Sequence, residues 1–337
     1  MTLYNGGKLR NNIKSSKLQE QVQQYSVEEE IDNIETSITE SFLQILYAQE
    51  SVKINEETVA LSKLQCERGK ALLEAGSISQ SDYAQLESQY SSDKYQLVLS
   101  QTTLEGNIQT LKQLLEMDMT ETLNISTPIL EAHDVLTPLP GKEEVYQSAL
   151  NFIPSIQSGK LGIDIAKLEH KNAKAGYYPT LDLSASVGTG HISGSDSNFG
   201  QQMKNKLNES IGLTLSIPIF SNRENKSAVE KAKLQISEAE LEYLNAQKEL
   251  QKTIEDIYLD ATSSQAQYAA AIEQVKASKT SYNLAQEQFN LGMKNTVELL
   301  TEKNNFLSAQ QEMLQAKYMA ILNALLLRFY QGKEITL

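Results

Sequence analysis

Apolar residues return every seven positions near the start of the chain: Ile31, Ile38, Ile45, Val52, Val59, Cys66 and Leu73. Three positions after most of them stands a small or medium residue: Ile34, Ser41, Ala48, Asn55, Ser62 and Gly69. A sustained seven-residue repeat specifies a left-handed coiled-coil seam, and small residues beside it let helices approach closely. The pattern predicts a helix from about Lys8 to Leu73, on the order of 100 Å long. Gly76-Ser77-Ile78-Ser79 then breaks it, with Gly76 suited to a helix C-terminus and Ser79 to a new N-cap, Asp82 following three residues on. A second helix from about Gln80 to Met117 carries Tyr83, Leu86, Tyr90, Leu97, Leu104, Ile108, Leu111 and Leu115. The link is short, so this helix returns antiparallel to the first.

The same plan recurs 216 positions later without a gap. Lys17-Leu18 aligns with Lys233-Leu234, Ile38 with Ile254, Gly76 with Gly292 and Asn107 with Asn323. Ile254, Ala261, Tyr268, Val275, Tyr282 and Phe289 repeat the seven-step series. They predict a helix from about Arg223 to Phe289, a break at Gly292, and a final helix from about Val297 to Tyr330. A unit duplicated at constant length suits a rod-like architecture. Between the copies lie a proline-containing connector over 118–141 and two shorter helices, about 142–151 and 155–176, the second opened by Pro154.

Two segments follow a different period. Leu181 to Gly188 and Ile211 to Ile219 alternate apolar with small or polar residues. Each is about the length of one bilayer-crossing strand. The loop from His191 to Glu209 lacks aliphatic patterning, and Tyr177 and Tyr178 sit where an aromatic girdle would fall. A hairpin packed on a soluble core is the alternative, but the chain offers no globular core to cover the aliphatic face. One hairpin alone leaves unpaired edges in lipid, so the strands must close a barrel with other copies. The expectation is a cyclic homo-oligomer.

Composition narrows the function. The 337 residues contain six Pro, no Trp and a formal charge of −13. Nucleic-acid binding calls for a basic footprint and is disfavoured. Cys66 is the only cysteine, and His133, His170 and His191 lack partners at ligand spacing, so neither a disulfide nor a metal site is expected. Residues 1–20 have no apolar core or cleavage site of a signal peptide, and no apolar run is long enough for a transmembrane helix. No phosphate loop or catalytic grouping stands out, and no cofactor is implied.

Three stretches resemble TolC-like outer-membrane efflux proteins. Tyr177-Tyr178-Pro179-Thr180-Leu181-Asp182-Leu183 is similar to that family's helix-to-strand junction. The run from Leu213 to Arg223 is similar to its strand exit into the long helix. Gln288 to Gly292, with Val297 to Leu300, resembles its periplasmic hairpin tip. The resemblance implies a mostly α fold: long antiparallel coiled-coil helices forming an α-barrel tunnel, plus a β-hairpin contributing to a trimeric transmembrane β-barrel.

The implied division is a first repeat over 1–117 with its tip at 74–80, and a connector with equatorial helices over 118–176. An outer-membrane hairpin follows over 177–222, then a second repeat over 223–337 with its tip at 290–296. The implied role is a passive, non-enzymatic export conduit of a tripartite efflux or type I secretion system. Its partners are two further copies, a periplasmic adaptor, an inner-membrane transporter of RND or ABC type and outer-membrane lipid. Met1 to Gly7 matches only the end of a strand in the first copy, so the chain offers two complete strands where the family has four. A fragment, a misassigned start and a degenerate copy are all open. A periplasmic coiled-coil scaffold that does not span the membrane is the second reading, set apart by the two alternating strands.

By the same resemblance, Glu298 matches an acidic position ringing the tunnel entrance, and Glu302 stands next to a second that is Thr301 here. Lys294 matches a basic gate residue, Ser81 and Asp82 its partners, and Phe289 an aromatic of the constriction. Gly76, Ile78, Gly292 and Met293 are the expected docking surface for the adaptor.

Overall fold

The structure is a computed structural model and describes residues 1–118, 120–126, 128, 135–194 and 196–335. His133 and part of the 118–141 connector lie outside the described residues. The elements run β1 (Thr2–Asn5), α1 (Lys8–Glu74), α2 (Gln80–Leu114), α3 (Lys142–Phe152) and α4 (Pro154–Lys174). A 3-10 turn (Ala175–Tyr177) follows, then β2 (Thr180–Gly188), α5 (Phe199–Asn205), β3 (Asn208–Ser216), α6 (Glu224–Asn290) and α7 (Thr296–Tyr330). The duplication is exact in length: α1 and α6 have 67 residues each, α2 and α7 have 35 each. The chain forms two compact units, Met1–Glu29 with Ile153–Glu249, and Glu30–Phe152 with Leu250–Leu337.

The first unit holds an antiparallel sheet in the order β1-β2-β3. β2 and β3 pair along their whole length, from Thr180 opposite Ser216 to Gly188 opposite Asn208. Directly opposed residues share a face. Leu181, Leu183, Ala185 and Val187 therefore lie with Leu215, Leu213, Ile211 and Glu209, while Asp182, Ser184 and Ser186 lie with Thr214, Gly212 and Ser210. One face is aliphatic up to Glu209 and the other small and polar, as the alternation requires.

β3 begins and ends three residues earlier than the alternation alone suggests. Pro218 has no N–H to give a ladder, so pairing stops at Ser216. The loop between the strands contains a helix the sequence did not announce, α5, whose N-cap Asn198 accepts a hydrogen bond from the Gln201 amide at 2.9 Å.

Each long helix leaves its strand through the same backbone device. Gly6 and Gly7 have φ of 68° and 88°, and their counterparts Asn222 and Arg223 have φ of 44° and 66°. Two successive left-handed residues turn the chain sharply, and glycine supplies that conformation at least steric cost. At Gly6 an added Cβ would stand 2.9 Å from the Ala175 Cβ, so close packing also demands glycine there. The first turns of α1 lie against α4, where Asn172 Nδ2 donates to Asn12 Oδ1 at 2.7 Å.

The second unit is built from the tip-bearing parts of α1 and α6 with α2, α3 and α7. Its main core gathers Leu43 and Leu46 from α1, Tyr268 from α6, Leu314, Ile321 and Leu325 from α7, and Val135. The seven-step series behaves differently in the two copies. In α6, Ile254, Ala261, Tyr268, Tyr282 and Phe289 are all buried. In α1 only Ile45 of the apolar line is buried, while Ser41, Ala48, Ser62 and Gly69 of the small-residue line are. The small line marks where the neighbouring helices come closest: a Cβ on Gly69 would overlap Leu86 Cδ1 of α2. That close approach turns the Ile and Val line to the flank of α1.

Candidate functional site

The α1–α2 and α6–α7 turns use one design twice. Gly76, at φ 72°, donates to the Leu73 carbonyl at 2.9 Å and Ser77 to that of Leu72 at 2.8 Å. Gly292, also at φ 72°, donates to Phe289 at 3.0 Å and Met293 to Gln288 at 2.8 Å. These bonds close the last turn of each long helix on a left-handed glycine. Each return helix then opens with a capping box. The Ser79 hydroxyl accepts from the Asp82 amide at 3.1 Å while the Asp82 carboxylate accepts from the Ser79 amide at 3.1 Å. Asn295 and Glu298 repeat the exchange at 2.9 and 3.0 Å. Asp82 and Glu298 are thus equivalent residues with the same structural duty.

A groove of about 480 Å³ lies between the two turns. Gly76, Ile78, Asp82, Phe289, Gly292 and Lys294 line it together with Ser77, Ser79, Asn295 and Thr296. The structure therefore brings six of the sequence-derived positions to one place. Ser81, Met293, Glu298 and Glu302 lie off it. Met293 is exposed, and Glu302 accepts from the Ser281 hydroxyl at 2.8 Å.

The Ser79 hydroxyl, then the Ser79 amide, hold the Asp82 carboxyl below its ordinary value, against an opposing effect of burial. Each bond favours the charged form. Among the described residues, no hydrogen bond or ion pair joins Lys294 to Ser81 or Asp82. In this conformation Asp82 answers to its own helix cap.

Farther along the same helices is a cluster that sequence reasoning missed. Lys303 Nζ of α7 lies 2.5 Å from Asp93 Oδ2 of α2 and 2.6 Å from Ser62 Oγ of α1. The Ser62 hydroxyl also bonds Asp93 Oδ2, and Gln89 Nε2 donates to Asp93 Oδ1 at 2.8 Å. Lys303 is 1% exposed and Asp93 6%. Burial pulls the Lys303 ammonium below its ordinary value, with Asp93 holding it up in part. Tyr282 stacks on Phe306 with ring centroids 6.0 Å apart and accepts from Gln65 Nε2 at 2.7 Å. Burial pushes the Tyr282 phenol up to about 12.

The signal that could have revealed the cluster is positional. Asp93 stands seven residues after the buried Leu86, and Lys303 seven after the buried Thr296, so both charges occupy core positions. The repeat makes the cluster only once. Asp93 corresponds to Ala309, and Lys303 to the exposed Glu87.

The family model for outer membrane efflux proteins matches residues 145–333. The outer membrane efflux protein BepC of Brucella suis is 21% identical over 317 residues, covering 94% of this chain and 67% of that one. The alkaline protease secretion protein AprF of Pseudomonas aeruginosa is 22% identical, covering 88% of this chain and 60% of that one. This chain thus spans about two thirds or less of the length of these relatives. Among solved structures, the outer membrane protein VceC of Vibrio cholerae superposes with a TM-score of 0.79 over 99% of this chain and 78% of that one, at 14% identity.

Proposed function

This chain belongs to the outer membrane efflux protein family, and from that premise we propose that it is the protomer of an outer-membrane export tunnel. Members of the family are channels rather than enzymes, and we read this chain as a passive conduit without catalytic chemistry. The observation that carries the reading is the duplicated unit. Two helices of 67 residues, each followed by one of 35, end in matching glycine-and-cap turns. They accompany a hairpin with one aliphatic face. Equal lengths put both turns of every copy in one ring, which a tunnel mouth requires. The hairpin supplies strands whose edges must be satisfied by neighbouring copies in lipid.

In this reading the assembly is a homotrimer in the outer membrane, with the tips docking a periplasmic adaptor and, through it, an inner-membrane transporter of RND or ABC type. Expressed with an export signal in a bacterial envelope, the chain is expected in the outer-membrane fraction as a heat-modifiable trimer. Recovery as a soluble periplasmic monomer would overturn the reading in favour of the coiled-coil scaffold.

The tip residues take roles within that reading. Gly76, Ile78, Gly292 and Met293 form the adaptor-facing surface. Lys294 gates against Ser81 and Asp82 beside Phe289, and its presence in the Asp82 groove supports this. Single exposed pairs are worth only about 0–1 kcal/mol, so gating depends on three copies acting together. Glu298, with Glu302 one turn on, forms an acidic ring that concentrates cations at the mouth. Replacing Glu298 by Gln keeps a cap acceptor but removes the charge. Block of the channel by multivalent cations in planar bilayers is expected to weaken. Unchanged block would remove the ring.

A further inference from the structure

In the first unit α1 and α4 run antiparallel, joined by two polar contacts. Asn172 Nδ2 donates to Asn12 Oδ1 at 2.7 Å, and the Ser15 hydroxyl donates to Glu169 Oε1 at 3.4 Å. The same register sets Lys17 of α1 opposite Lys167 of α4, and Lys14 opposite Lys171. All four line one groove of about 400 Å³, together with the half-buried Leu18 and Leu168. Like charges facing each other across a helix pair repel. Among the described residues one carboxylate answers them with an ion pair: Asp164 lies 3.3 Å from Lys167, and both partners are more than half exposed. Glu169, the next acid on α4, is turned to Ser15 and Asn172.

Composition does not force this cluster. The chain carries a formal charge of −13, and the repeat puts Glu230 where the first copy has Lys14. Four ammoniums gathered without matching carboxylates make a place for an anion. The groove also selects among anions. Its walls are lysine stems and two leucines, so the charges stand at the rim of a hydrocarbon surface. That suits an anion carried on an apolar body.

The position of the groove narrows the choice. α1 follows β1 directly, and α4 leads to β2 through the turn at Ala175–Tyr177. Lys14 and Lys17 stand about 9 and 14 Å along α1 from Lys8, and Lys171 and Lys167 about 5 and 10 Å before the end of α4 at Lys174. A headgroup layer reaches roughly 5–8 Å beyond the hydrocarbon core, and flexible lysine stems extend toward it. We propose that the groove of Lys14, Lys17, Lys167 and Lys171 binds the phosphate of an anionic phospholipid in the leaflet at the strand bases, with the start of an acyl chain on Leu18 and Leu168. The depth of the lipid rests on the tunnel reading. The anion preference of the groove does not.

Native mass spectrometry of the full chain in neutral detergent tests the site, with phosphatidylglycerol and phosphatidylcholine of the same acyl chains as probes. Phosphatidylglycerol is expected to bind about tenfold more tightly, and less so as salt rises. In the variant Lys14→Gln/Lys17→Gln/Lys167→Gln/Lys171→Gln the two lipids are expected to bind alike. If that variant does not fold, Lys14→Gln/Lys17→Gln is expected to cut the preference to about threefold. Lys226→Gln/Lys231→Gln/Lys233→Gln/Lys248→Gln removes as many exposed lysines from α6 of the same unit and is expected to keep the preference. Equal binding of the two lipids by the unaltered chain, a preference that survives loss of the groove lysines, or equal loss in the α6 variant would overturn the proposal. Displacement of phosphatidylglycerol by millimolar inorganic phosphate would reassign the groove to free phosphate and overturn the lipid. Recovery of the chain as a soluble periplasmic monomer would remove the tunnel and leave the binding result standing.

Discussion

Replacing Asp93 by Ala is expected to lower the unfolding free energy by about 3–5 kcal/mol. The size follows from what is left behind. Lys303 is 1% exposed and draws its counter-charge from Asp93 alone among the described ion pairs. Removing the carboxylate leaves a buried ammonium with the Ser62 hydroxyl as its one remaining hydrogen-bond partner among the described residues. The lysine must then stay charged without a partner, lose its proton, or drag the helices apart to reach water, and each course costs free energy. Melting of the purified chain, followed by its helical circular dichroism, reads the effect. Glu87→Ala is the control, since Glu87 is exposed and occupies the position equivalent to Lys303 in the other copy. It is expected to move stability by less than about 0.5 kcal/mol. Equal effects from the two substitutions would show that the buried pair contributes little.

The contrast between what could and could not be read from the residues has a physical origin. Helix ends were legible because their chemistry is local. Gly292 followed by Asn295 and Glu298 names a left-handed stop and a capping box within seven residues, and the structure holds both. Strand faces were legible because alternation fixes them, whichever residues pair across the hairpin. The end of β3 was not, because alternation continued past Ser216 while Pro218 removed the donor that pairing needs. The helix α5 was hidden for a related reason: seven residues without an apolar stripe carry no periodic signal, and only the Asn198 cap betrays it. The buried pair was hidden because charges are common on helices, and Asp93 and Lys303 are 210 positions apart. Only their heptad phase, or their mismatch with Ala309 and Glu87, distinguishes them from the solvated charges around them.

On the proposed reading as a trimeric tunnel, Leu213→Arg is expected to abolish recovery of the chain from the outer membrane as a trimer, whereas Thr214→Arg, one residue on, is tolerated. The register makes this a test of face rather than of position. Leu213 opposes Leu183, with Leu181–Leu215 and Ala185–Ile211 on either side, so a charge at 213 lands in the middle of an aliphatic band. In the chain alone, Ile211 is 83% exposed and Leu213 64%, too much hydrocarbon on one short hairpin for water to be its medium. At the midplane of a bilayer an arginine on the lipid face of a strand costs about 2–4 kcal/mol, and a trimer bears that cost three times over. Thr214 shares the opposite face with Asp182, Ser184 and Gly212, where a long cation finds polar neighbours and the bore. The measurement is the yield of heat-modifiable trimer in washed outer membranes for the two variants. A soluble scaffold would treat them alike, because both faces of its hairpin would meet water. Equal yields would therefore remove the membrane from the account of this hairpin, and with it the tunnel.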